Sequence, residues 1–398
     1  MIPLLAQKRV AVILDHVPYR LCKKMKSQVW RLKDSFKCIV VAVFALCFIY
    51  SIYLVMTNYN AKTCETRIYE VNPEHVQRAQ KHAERISQAE CRPSFAKTKM
   101  NELFPHKYDA DLLPFITEDI DPHSDLFKYQ PPFGFQKFLE KLRDLVHLLP
   151  EYDLPADLKS KSCKRCVVVG SSNVLRGLKL GSILNDFDIV IRLNNAPVWG
   201  YADDVGKKTT LRMTYPEGAP LSQDEYFPNS LFVAVLFKNV DFAWIKAMVK
   251  NETLPLWMHL FFWKRVVMKI PISPKNFRIL NPVIVKETAL DILQYPEPQA
   301  RLFSWDKVSE QNVPTIGMIA TVLATHLCDE VSLAGFGYEL RHPEAPLHYY
   351  DSVCTVAMDW QPMHNVTLET EFLRKLVQEG TVSDLSGGIH CHFCNQPE

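Results

Sequence analysis

The chain has 398 residues, 47% of them hydrophobic and 23% charged, and a formal net charge of +2. That length holds one large domain with appendages, or two ordinary domains. A nearly neutral balance gives no footing for nucleic acid as a partner, and no internal repeat or low-complexity tract is present.

The first element in chain order is CIVVAVFALCFIYSIYLVM, Cys38–Met56, nineteen residues without a charge. It is long enough to cross the hydrocarbon of a bilayer as a helix. Lys23, Lys24, Lys26, Arg31, Lys33 and Lys37 precede it with only Asp34 among them, and little positive charge follows before Lys62. The positive-inside rule therefore expects a cytosolic tail over 1–37, a signal-anchor over 38–56 and a lumenal remainder. A cleaved signal peptide fits less well, because the apolar run is long, starts late and is followed by no small-residue cleavage site. A core helix fits less well too, since neither face of the run is polar. Cys64, Cys91, Cys163, Cys166, Cys328, Cys354, Cys391 and Cys394 then fall where disulfides form and persist. Two glycosylation sequons, at Asn251 and Asn365, fall there as well.

Residues 57–130 read as a stem and the lead-in to a folded catalytic domain over 131–398. The first part is polar, partly helical in EHVQRAQKHAERISQAE, and carries few large apolar groups for a core. YQPPFGFQKFLEKLRDLV then opens the domain, with a helix expected near 136–148. From Cys166 onward short apolar runs alternate with helical stretches. CVVVG, DIVIRLN (188–194), SLFVAVLF (230–237), FRILN (277–281) and VSLAGFG (331–337) read as buried strands. The alternation predicts an α/β fold, Rossmann-like, with a largely parallel sheet flanked by helices.

CKRCVVVGSSN, residues 163–173, admits several readings. A redox CxxC belongs at a helix N-terminus and not before a strand. Structural zinc needs a second pair, for which only the tail HCHFC, His390–Cys394, offers itself, and without clean spacing. Disulfides suit the cysteines better. VVVG followed by SSN then reads as strand, tight turn and helix, where a ligand meets backbone N–H groups at the strand's C-terminal end.

The wider context is specific. Residues Cys163–Glu217, from CKRCVVVGSSN to TLRMTYPE, closely resemble the large sialyl motif of the eukaryotic sialyltransferases, glycosyltransferase family 29. VPTIGMIATVLATHLCDEVSLAGFG, Val313–Gly337, resembles their small motif. HYYD, His348–Asp351, resembles the third motif, and HNVTLE, His364–Glu369, the very small motif. All four occur in the family's order. Two positions depart from it: Ser171 stands where members mostly carry Asn, and Ala202 where they mostly carry Glu. A hydroxyl at 171 can still hydrogen-bond a donor.

The resemblance implies a GT-A-like variant of the fold behind a type II anchor and stem. It also implies transfer of sialic acid from CMP-sialic acid to a galactose hydroxyl with inversion, at the Golgi membrane, with no cofactor and no metal. FVAVLFK and RILNPVIVKETALDILQY resemble most the members acting on lactosylceramide, so the expected acceptor is the 3-hydroxyl of its terminal galactose, with a different galactoside, on a glycoprotein or another glycolipid, as the alternative. The expected partners are these two substrates, the Golgi membrane and a second copy of the chain.

A sugar hydroxyl needs a base with a pKa near the working pH, which suits histidine, and by motif position this is His364. His348 is placed by the same resemblance to meet the charge that develops on the departing nucleotide. Thr315, Ile316 and Gly317 open an apolar helix just after Pro314, a natural cradle for phosphate and ribose. Ser171, Ser172, Asn173, Asn194 and Tyr349 complete the implied donor site. Glu369 falls inside the helix after His364, with an orienting role. Arg192 and Arg212 read as paired within the fold. Cys166 and Cys328 match the family's disulfide between the large and small motifs.

Two other functional classes fit the sequence less well. A metal-dependent transferase would hold its cation with an Asp-x-Asp at a strand's end. Of DAD (109–111), DID (119–121) and DFD (186–188), the first two precede the sheet and the third begins a strand. A non-catalytic carbohydrate-binding protein would not need both His364 and His348. LPLWMHLFFWKRVVMKI, Leu254–Ile270, interleaves aromatic and basic residues. It reads either as a core helix or as a segment meeting a membrane interface.

Overall fold

A computed structural model describes residues 40–51, 71–297, 313–338, 344–360 and 363–394. The chain divides into two compact units, Met1–Lys62 and Thr63–Glu398. In the first, residues 40–51 are helical with exposed side chains. The rest of the Cys38–Met56 run lies outside the described residues, and among the described residues no helix is long and apolar enough to cross a membrane.

The second unit is built on a parallel sheet of seven strands: β1 (Arg165–Val169), β2 (Ile189–Leu193), β3 (Leu211–Thr214), β4 (Leu231–Ala234), β5 (Phe277–Ile279), β6 (Glu330–Ala334) and β7 (Val382–Asp384). RCVVV and IVIRL are β-branched runs buried on both faces, as strands of a covered parallel sheet must be. The order is β5-β4-β3-β2-β1-β6-β7. The chain steps outward from β1 to β5, then returns to the other side of β1 for β6 and β7. The order reverses between β1 and β6, so a crevice opens at their C-terminal ends. In register, Val169 of β1 faces Arg192 of β2 and Ala334 of β6.

Immediately beyond those ends the two backbones touch. The Gly170 N–H donates to the Ala334 carbonyl at 2.8 Å. A Cβ on Gly170 would sit 2.3 Å from the Gly335 carbonyl oxygen, and Gly335 itself has φ +75°. Only glycine permits both the approach and the left-handed backbone.

Helix Ile316–Leu327 covers one face. Eleven of its twelve residues are buried, in a cluster with Val168, Ile191 and Met213. Helices Leu139–Val146 and Asn239–Lys250 cover Phe232 and Phe277 further along the sheet. The stretch read as stem contributes more core than its composition suggests. Helix Pro73–Gln88 buries Ala79, His82 and Ala83, helix Phe95–Leu103 buries Ala96 and Met100, and a Cys91–Cys163 disulfide joins this stretch to the foot of β1. Composition counts the charges, but these helices segregate them onto one face.

The cysteines of CKRC bond to two distant partners, Cys163 to Cys91 and Cys166 to Cys328. Those of HCHFC bond to each other, Cys391 to Cys394. The thiolates that a zinc site would need are thereby consumed.

Candidate active site

The loop after β1, the loop after β6 and the segment 344–354 converge on the crevice. Ser172 and His348 form an antiparallel bridge. The Tyr349 N–H donates to the Ser171 carbonyl at 3.1 Å, and the Asn173 N–H to that of Leu347 at 3.1 Å. HYYD thus lies along SSN as an added short strand. The Ser172 hydroxyl is spent on the Gly337 carbonyl at 2.7 Å, while Ser171 hydrogen-bonds Tyr338. The Asn173 side-chain oxygen is buried without a partner. Such an atom costs stability unless a ligand completes it.

Thr315 caps helix Ile316–Leu327. Its hydroxyl accepts from the Met318 N–H at 3.2 Å and donates to Glu369 at 2.5 Å, while its N–H donates to the other Glu369 oxygen at 2.9 Å. A fixed helix N-terminus leaves the amides of Ile316 and Gly317 without an intrahelical acceptor, ready for an anion. The ring of Phe336, after β6, would lie 3.1 Å from a Cβ on Gly317, which brings this terminus to the same crevice. Glu369 is 4% exposed, and burial raises its carboxyl to about 7. The Tyr295 hydroxyl approaches it at 3.4 Å.

His364 precedes the same helix as Glu369. Its Nδ1 lies 2.7 Å from the Val313 carbonyl oxygen. A carbonyl only accepts, so Nδ1 carries the proton and Nε2 presents a lone pair. Burial pushes the imidazole below its ordinary value. His348 sets its Nδ1 2.8 Å from the Asp351 carboxylate, and its ring stacks on Tyr350 with centroids 5.1 Å apart. The sequence assigns Asp351 no part beyond its place in HYYD; its spacing of three from His348 is the signal that brings the two together.

Asn194 ends β2 with φ 49°. Its carbonyl accepts from Arg212 at 2.7 Å, and its side-chain oxygen from the Thr214 hydroxyl at 3.2 Å. Tyr349 is 2% exposed and donates its hydroxyl to the Pro197 carbonyl at 2.7 Å, so its ring holds the β2 loop against HYYD. Arg192 is occupied by the carbonyls of Val205, Gly206 and Lys208, and Arg212 by Glu225 at 2.8 Å. Of the sequons, Asn251 is exposed at the end of helix Asn239–Lys250. Asn365 caps helix Val366–Gln378 by accepting from the Leu368 N–H at 3.1 Å. Among the described residues no group of three His, Cys, Asp or Glu side chains could hold a metal ion.

A parallel sheet whose polar loops meet at its switch point is the architecture of nucleotide-binding α/β proteins. The chain belongs to glycosyltransferase family 29, the sialyltransferases, whose family model matches residues 115–381. It is 60% identical over 371 residues to lactosylceramide alpha-2,3-sialyltransferase of Homo sapiens, covering 93% of this chain and 87% of that one. The Mus musculus protein of the same name is 57% identical over 368 residues, 92% of this chain and 87% of that one. A human CMP-N-acetylneuraminate-beta-1,4-galactoside alpha-2,3-sialyltransferase is 40% identical over 304 residues, 76% of this chain and 79% of its own. The fold is similar to that of a mammalian sialyltransferase solved with Gal-beta-1-3GalNAc-ortho-nitrophenol. That match has a TM-score of 0.57 and 22% identity, and covers 74% of this chain and 97% of the other.

Proposed function

We propose that this sialyltransferase moves sialic acid from CMP-sialic acid to the 3-hydroxyl of the terminal galactose of lactosylceramide, inverting the anomeric centre. The observation that carries this reading is 60% identity, across 93% of the chain, to a protein named for that reaction.

The acceptor oxygen attacks the anomeric carbon of sialic acid from the face opposite CMP. The bond from that carbon to the phosphate oxygen breaks, and CMP leaves with the electron pair. His364 Nε2 takes the hydroxyl proton; its free lone pair supports that role. His348, oriented by Asp351, meets the charge growing on the phosphate. The amides of Ile316 and Gly317 and the hydroxyl of Ser171 serve phosphate and ribose. Asn173 and Asn194 reach the nucleotide from the ends of β1 and β2, and Ser172 and Tyr349 shape the loops that carry them. A donor with one phosphate needs no metal bridge.

The same reading extends to the layout. Residues 1–37 form a cytosolic tail and 38–56 a signal-anchor in the Golgi membrane. Residues 57–130 lead into a lumenal catalytic domain over 131–398, which pairs with a second copy. The full chain, supplied with CMP-sialic acid and lactosylceramide with and without EDTA, tests the reaction. An α-2,3-sialylated product formed equally in both supports it. Absence of transfer, or its abolition by EDTA, overturns it.

A further inference from the structure

The segment Leu254–Ile270 is not a core helix. It is split residue by residue. Leu254, Phe262, Val266, Val267 and Ile270 are buried in the cluster around helix Asn239–Lys250. They fasten a short 3-10 helix, Leu256–Phe261, to the surface. Four of its five apolar side chains face outward, Met258 packing against the cluster: Leu256 is 85% exposed, Trp257 58%, Leu260 76% and Phe261 60%, followed by Trp263 at 67%. Trp257 and Phe261 meet edge to face at 5.9 Å and wall an open cleft of about 620 Å³ against helix Asn239–Lys250. Five large apolar groups exposed within eight residues exceed the scatter of single hydrophobes on an ordinary surface.

The charge around this patch says what it meets. Lys264, Arg265 and Lys269 follow it, and none has an anionic partner among the described ion pairs. Lys264 lies over the Trp263 ring at 5.8 Å. Glu252 is the only carboxylate in residues 251–270, and it is spent on Lys250 at 2.6 Å. Rings that stand proud beside unpaired cations fit a bilayer surface, with the rings at headgroup depth and the cations on anionic lipid. The patch is also linked to the C-terminal ends of the strands, where the site lies. Lys238, which lines the cleft, bonds Glu217 at 2.6 Å, and a Cβ on the next residue, Gly218, would touch the Asn194 side-chain oxygen at 2.7 Å.

We propose that Leu256, Trp257, Leu260, Phe261 and Trp263, with Lys264 and Arg265, dock the catalytic unit onto an anionic lipid surface. The docked unit draws a membrane-held galactose within reach. The second sentence rests on the glycolipid acceptor proposed above; the docking itself does not.

The test reconstitutes the full chain in phosphatidylcholine vesicles with and without phosphatidylserine, using brominated lipids as quenchers of tryptophan fluorescence. The expected result is a quenched component that grows with phosphatidylserine and disappears in a Trp257→Phe, Trp263→Phe double variant. Quenching that the double substitution leaves unchanged overturns the docking, whatever the enzyme's substrate. A second variant, Leu256→Ser with Leu260→Ser and Phe261→Ser, is assayed on lactosylceramide in the same vesicles and on a soluble lactoside. A fall of roughly tenfold on the vesicle acceptor, with the lactoside rate held, is expected from losing three interfacial side chains. Equal loss on both acceptors overturns the draw toward the membrane. Failure of the unaltered chain on both acceptors, with quenching intact, would instead defeat the proposed reaction alone.

Discussion

At the scale of single residues, His364 has its tautomer set before any substrate arrives, because the Val313 carbonyl holds the Nδ1 proton. Its pKa is lowered by burial, with the Val313 hydrogen bond opposing in part. A base works in its neutral form, so lowering the pKa keeps it competent in more acidic solution. The acid limb of kcat/KM is expected below the ordinary histidine value, read from a pH–rate profile. His364→Ala should cost about 10²–10⁴-fold in turnover and leave CMP binding unchanged by titration calorimetry. Near-normal turnover in that variant would remove His364 from the reaction. His348→Ala should weaken CMP binding as well, and Asp351→Asn should reproduce part of that loss by freeing the ring. The sequence offers the two histidines as candidates because motif order marks them. It does not offer Tyr338 and Tyr295, because their contacts with Ser171 and Glu369 cross the fold.

At the scale of elements, the helix cap at Thr315 depends on a buried acid. Glu369 titrates at about 7 in the folded chain, above the ordinary value of 4.5, with burial the largest cause. The folded state therefore holds this proton more tightly than the unfolded one. Its contribution to stability is full below about 4.5 and fades as pH rises through about 7. Denaturant midpoints across that window should fall with rising pH. Glu369→Gln should flatten the slope, since an amide oxygen still accepts from Thr315 but cannot ionise. An unchanged slope would show that some other group is responsible. The sequence revealed β1, β2, β4, β5 and β6 through short apolar runs, broken by one arginine in β2 and in β5. It hid β3 and β7. LRMT is four residues with Arg212 inside, and VSD is three residues ending in Asp384. Each polar group is tolerated only because partners elsewhere satisfy it: Glu225 and two carbonyls for Arg212, and backbone N–H groups including those of Ile389 and His390 for Asp384. No local pattern encodes such distant partners.

At the scale of the whole molecule, the Cys166–Cys328 bond joins the start of β1 to the end of the helix that carries the Thr315 cap, on the two sides of the switch point. Replacing both cysteines by Ala should cost about 2–5 kcal/mol, seen as a lower melting temperature. Non-reducing peptide mapping should recover one linked peptide containing both residues. The same bond has a consequence for the order of synthesis. Cys166 leaves the ribosome 162 residues ahead of Cys328, roughly ten to thirty seconds at ordinary elongation rates. Through that interval it stands beside Cys163, with Cys91 already emerged, while its true partner does not yet exist. In the proposed lumenal orientation, an oxidising compartment receives four thiols, Cys64, Cys91, Cys163 and Cys166, before Cys328 exists, and Cys166 must stay unpaired through that interval or be rescued by exchange. Maturation of the chain should therefore lean on a disulfide isomerase, and withdrawing that isomerase should trap Cys166 in mixed species before it touches the finished enzyme.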